Sequence, residues 1–119
     1  MIFPLLTSAK EEKAMANKFM IVLFNLNPDE NEDEFVQWMK DNDISEVSKL
    51  SSVSEYNLAK TVGMLGAEGE PPYKYMEIIR VSDFDKLGEE ASSEAIQNVG
   101  AQFQKKIKDG IWLLSEQIA

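Results

Sequence analysis

Between Phe19 and Leu26 the chain reads Phe-Met-Ile-Val-Leu-Phe-Asn-Leu, with apolar residues on odd and even positions alike. A strand with one wet face alternates apolar and polar residues, so this segment is expected to be buried on both faces. It is too short for a buried helix and far too short for a membrane span. The pattern predicts a central strand with helices over one face. The chain has 119 residues, too few to build a second layer over the other face, so a second copy of the chain is the natural cover.

The pattern along the rest of the chain supplies the other elements. Asn27-Pro28-Asp29 stops the strand, and Asp29 with Glu32 fits a capping box for a helix whose acidic first turn suits the helix dipole. Phe35, Trp38 and Met39 form its apolar face, and it should end near Asp41-Asn42-Asp43. Residues 44–50 read as a connector anchored inward by Val47 and Leu50, and residues 51–63 as a second strand. On that strand Val53, Glu55, Asn57, Ala59 and Thr61 share one face and Tyr56, Leu58, Lys60 and Val62 the other, a mixed pattern typical of a sheet edge. Gly63, Gly66, Gly69 and Pro71-Pro72 mark a rim loop. Its glycines do not make a dinucleotide fingerprint, because a strand follows them where a helix is needed. Residues 73–81 predict strand three and residues 83–89 a single helical turn. Ser92 or Ser93 caps a helix striped by Ile96, Val99, Phe103 and Ile107 and closed by Asp109-Gly110, and residues 111–118 form strand four.

The order is β-α-β-β-α-β, which predicts an α+β, ferredoxin-like domain: a four-stranded antiparallel sheet with both helices on one face. Two such sheets facing each other would form a dimeric α/β barrel. Residues 1–17 read as an N-terminal extension and 18–119 as the domain. In the extension, Ile2-Phe3-Pro4-Leu5-Leu6 is too short and lacks the basic lead of a signal peptide, and Met15-Ala16-Asn17-Lys18 reads as a natural start. A cytoplasmic homodimer is expected.

Composition narrows the chemistry. The net charge of −9 argues against nucleic acid and against an anionic membrane surface as partners. The absence of cysteine excludes disulfides, thiolate metal sites and cysteine nucleophiles. Histidine is also absent, which removes the commonest general base and metal ligand. Catalysis by this chain would therefore use carboxylates, tyrosine, lysine, asparagine or confinement. No metal site is expected: the acidic runs Asp29–Glu34 and Glu89-Glu90 lack the glycine and spacing of a calcium loop.

Glu77 is the most informative polar residue, lying between Met76 and Ile78 on a strand face shared with Tyr73, Tyr75 and Ile79. Two orientations are open. Facing a cleft beneath the helices, its carboxyl would be raised by burial and could take a hydrogen bond from Tyr75 and move protons. Facing a partner sheet, it would pair with Lys60, Lys74 or Arg80. Asn25 could orient a substrate carbonyl or bond the adjacent loop. Trp38, Tyr56, Tyr75, Phe103 and Trp112 could line a pocket for a flat ligand or simply build the core.

Several segments carry a resemblance: Val22-Leu23-Phe24-Asn25-Leu26, Val47–Val53, Gly63-Met64-Leu65-Gly66, Pro71-Pro72-Tyr73-Lys74-Tyr75-Met76-Glu77-Ile78-Ile79, Phe103 and Leu113-Leu114-Ser115-Glu116. Together they resemble the RedY/HapK-like family of the dimeric α+β barrel superfamily, with the Pro71–Ile79 segment the most specific. The resemblance implies a ferredoxin-like homodimer without a bound cofactor. It also implies a role on pyrrole or indole intermediates like those of prodiginine and bis-indole pathways. Tyr75 and Glu77 are carried over as pocket candidates on that basis. Two alternatives stay open: a cofactor-free monooxygenase of the antibiotic-biosynthesis type, and a non-catalytic dimeric stress-response or binding protein of the same fold.

Overall fold

The computed structural model describes residues 16–119. The expected extension therefore lies outside the described residues except for Ala16 and Asn17. The elements run β1 (Lys18–Leu26), α1 (Glu32–Asp41), α2 (Asp43–Val47), β2 (Val53–Lys60), β3 (Tyr75–Val81), α3 (Phe84–Glu90), α4 (Glu94–Lys106) and β4 (Ile107–Glu116). The strands form one antiparallel sheet in the order β2-β3-β1-β4. This is the ferredoxin-like arrangement, with the apolar strand β1 in the interior as its pattern requires.

The two faces of the sheet differ. Val22 and Phe24 of β1 and Tyr75, Glu77, Ile79 and Val81 of β3 are buried on the helix side. Phe24 anchors an aromatic cluster, edge-on to Phe35 of α1 at 5.8 Å and to Phe103 of α4 at 5.1 Å, and stacked on Tyr75 at 5.6 Å. The opposite face carries Phe19, Ile21 and Leu23 beside Met76, Ile78, Ile111 and Leu113. Ile111 and Leu113 remain 39% and 42% exposed. Among the described residues no element covers that face. Arg80 closes one corner of it, stacked 4.5 Å over Phe19 and 3.7 Å from Glu55.

Local details depart from the sequence expectation in three places. The first helix is capped by Asn31, whose Oδ1 accepts from Glu34 N at 3.0 Å, and not by Asp29. Asp29 is held in a turn that the Glu30 N–H closes onto Asn27 O at 3.0 Å. Residues 44–50 are not a plain connector but contain most of α2, which buries Val47. The last helix ends at Lys106, and β4 begins immediately at Ile107 instead of at 111. Asp109-Gly110 is not a helix stop. Asp109 has φ +59°, and the β1–β4 register slips between Leu23 and Asn25, so the pair forms a bulge. No helix among the described residues is long and apolar enough to cross a membrane.

Candidate functional site

Glu77 faces the helices. The alternation of β3 places it in line with Tyr75 and Ile79, and it is only 4% exposed. Above it opens a cleft of about 640 Å³ between the sheet and α4. Met20, Ile79, Ile96, Gly100, Phe103 and Trp112 supply apolar walls, while Asp43, Gln97, Gln104 and Lys105 add polar groups. Trp112 stands on β4 opposite Val22. The bulge shapes this wall, because a Cβ at Gly110 would lie 2.8 Å from the Trp112 ring. Glycine therefore lets the indole lie close against the backbone.

A second carboxylate shares the cleft. Asp43, the first residue of α2, is 7% exposed, and its Oδ1 accepts the Tyr56 hydroxyl at 3.0 Å. Tyr56 sits on the helix face of β2, diagonal to Glu77 in the β2–β3 register, so that its hydroxyl also bears on the Glu77 carboxyl. Burial pushes Glu77 up to about 8, the Asp43 charge adds to this, and the Tyr56 hydroxyl works against it. Burial likewise raises Asp43 to about 6, opposed by the bond from Tyr56. The Tyr56 phenol is held well above its usual range by burial and then by the charges of Glu77 and Asp43. Near neutral pH the coupled carboxyl pair thus holds one proton and one negative charge.

The structure separates the residues singled out from sequence. Glu77 and Phe103 line the cleft, and Tyr56 reaches its carboxylates from β2. Tyr75 does not bond Glu77. Residues two apart on one strand face are separated by nearly 7 Å along the chain, and the Tyr75 hydroxyl instead donates to Glu32 Oε1 at 2.7 Å. Burial, then Glu32, raises that phenol to about 12. Asn25 holds the rim loop: its Oδ1 accepts from Lys74 N at 2.9 Å, and its Nδ2 donates to Pro72 O at 3.0 Å and Asp109 Oδ2 at 3.3 Å. Trp38 packs on the core with Lys106 Nζ 5.0 Å from its ring. The cations considered as partners for Glu77 are elsewhere: Lys60 pairs with Glu32 at 2.8 Å, Arg80 pairs with Glu55, and Lys74 lines a separate polar pocket with Asn25 and Tyr75.

Asp43 was not singled out from sequence. It follows Met39 by four residues and Phe35 by eight, which continues the buried stripe of α1, and that spacing was the available signal. Trp112 was named, but its place in the cleft wall depends on the bulge. Among the described residues no cluster of three carboxylates could hold a metal ion.

Comparison with known proteins gives a consistent picture. The crystal structure of HapK from Hahella chejuensis superposes with a TM-score of 0.67 at 18% identity, covering 86% of this chain and 93% of that one. A hydroxynitrile lyase from Passiflora edulis gives a TM-score of 0.71 at 9% identity, with 86% and 94% covered. A dimeric ferredoxin-like protein of unknown function from Thermobifida fusca gives 0.64 at 13% identity, with 85% and 91% covered. At these identities the likeness is one of fold. No curated protein matches the sequence. The model of the family described as REDY-like protein HapK matches residues 18–118, and the chain therefore belongs to the HapK family.

Proposed function

We propose that this protein binds a flat aromatic intermediate of pyrrole or indole type in the cleft and exchanges protons with it, in small-molecule biosynthesis and without a bound cofactor. The observation that carries this reading is Glu77: a buried carboxyl on an otherwise apolar cleft floor, with Oε2 unpaired by any group among the described residues. A carboxylic acid kept protonated near neutral pH can give its proton to an electron-rich ring carbon, and the carboxylate left behind can take a ring proton back. Phe103 and Trp112 offer apolar surface to the ring. Family membership supports the choice of a pyrrole or indole. The half-exposed apolar face of the sheet supports a homodimer closed through that face.

Deuterium exchange at ring carbon 3 of indole, followed by proton NMR in D₂O, tests the proposal without knowledge of the natural substrate. The wild-type protein should accelerate exchange, and Glu77→Gln should lose roughly a hundredfold of that acceleration, a usual share for a positioned acid–base group. Equal exchange with both proteins would defeat the assignment of Glu77. Binding of indole without any acceleration would favour the non-catalytic alternative.

A further inference from the structure

Along α4, Ile96, Val99, Gly100 and Phe103 fall at i, i+3, i+4 and i+7, the spacing of its inward stripe. Val99 and Phe103 are buried on that stripe. Gly100 lies between them, half-buried, and lines the cleft. A glycine inside a helix costs the fold conformational entropy that alanine would not. Two backbone reasons can justify it, and neither applies here. Its backbone is not left-handed: among the described residues the glycines at positive φ are Gly66 and Gly69. No neighbour crowds it either. Apart from its own helix, a Cβ at Gly100 would meet nothing within 4 Å, whereas one at Gly110 would meet the Trp112 ring at 2.8 Å. Protein interiors are close-packed, so an inward glycine over open space leaves a gap in the roof of the cleft. The same cleft holds the buried carboxyl of Glu77, and its volume of about 640 Å³ lies in the range of small-molecule sites.

We propose that Gly100 is a specificity-determining residue of the cleft: the ligand's ring lies against the bare α4 backbone at Gly100, in the space a side chain there would fill. The ring is then held between the helix and the sheet, with Phe103 one turn further along the same stripe. A methyl group at position 100 would narrow this slot from the helix side. The fold gives up helix stability at Gly100 to keep the slot open. This inference rests on the reading of the cleft as an aromatic site, and it adds where the ring is seated and which residue limits its fit.

The test pairs urea unfolding with calorimetric titration of indole at neutral pH, on the full wild-type chain and on two variants. In Gly100→Ala the unfolding equilibrium should shift about fivefold toward the native state, the helix-propensity gain of alanine over glycine. Indole affinity should fall about tenfold in the same variant, as expected when a filled site receives one carbon too many. Gly88→Ala is the control, because Gly88 is also a helical glycine with open space around it, but on the exposed face of α3. It should gain stability in the same way and bind indole as the wild type does. A glycine kept for the fold alone would lose stability on replacement, and that result in Gly100→Ala would overturn the inference. Indole binding as tight in Gly100→Ala as in the wild type would overturn it, and so would equal losses of affinity in both variants; either leaves the cleft reading standing. No binding of indole by the wild-type protein would remove the cleft reading itself, and this inference with it.

Discussion

Replacing Glu77 with glutamine should flatten the dependence of stability on pH between about 6 and 8. In the native state burial and the nearby Asp43 charge raise Glu77 from its usual 4.5 to about 8. In the unfolded chain the group titrates near the usual value, so between these limits the native state holds one more proton. Its stability is then complete below the unfolded pKa and is lost as pH rises through the native one. One proton corresponds to about 1.4 kcal/mol per pH unit, so the wild-type protein should lose roughly 2–3 kcal/mol between pH 6 and pH 8. This window isolates Glu77. Asp43 is raised only to about 6 and acts mainly below it. Hydrogen bonds from Lys60 and Tyr75 hold Glu32 low; burial pushes Glu90 up, but bonds from Ser52 and Ser51 hold it low overall, so both act in acid. The chain has no histidine or cysteine to titrate there. Urea unfolding at fixed protein concentration, at several pH values, measures the effect. Whatever constant offset the amide introduces, the Glu77→Gln curve should lack the wild-type slope. A wild-type protein equally stable at pH 6 and 8, or a variant with the same slope, would refute the reasoning.

Two further outcomes follow from the packing. Phe103 is 4% exposed and meets Phe24 edge-on at 5.1 Å, so Phe103→Ala should cost roughly 3–5 kcal/mol in chemical unfolding; a loss near zero would mean that α4 does not pack as described. The apolar sheet face should bury on the order of 800 Å² per protomer in a dimer. Sedimentation at micromolar concentration should accordingly give twice the monomer mass, and a folded monomer there would contradict the closed-barrel reading.

The architecture was legible because its main signal is local. Eight consecutive residues without alternation can only be an interior strand, and the capped stripe from Ser93 to Phe103 can only be an amphipathic helix. Asp109-Gly110 was misread because the same left-handed backbone serves both a helix stop and a strand bulge, and the choice depends on pairing with β1. Asp29 lost the cap to Asn31 because the turn begun by Asn27-Pro28 runs two residues longer than the capping pattern assumed. At the site, Glu77 stood out as a lone charge in an apolar run. Its surroundings did not: Tyr56 was named only as a pocket aromatic and comes beside it through the register of β2 against β3, and Asp43 is brought there by α2. Tyr75 looked like a partner by adjacency, but its ring stacks on Phe24 and its hydroxyl donates to Glu32 of α1.

Whether Glu77 is a buried, ligand-facing carboxyl is measured most directly by a carbon-13 NMR titration of its side chain, free and with saturating indole. The expected result is a midpoint at about 8 in the free protein and a carboxyl resonance that moves on indole addition while those of exposed glutamates such as Glu94 stay in place. A midpoint near 4.5, or a Glu77 resonance indifferent to saturating indole, would contradict it.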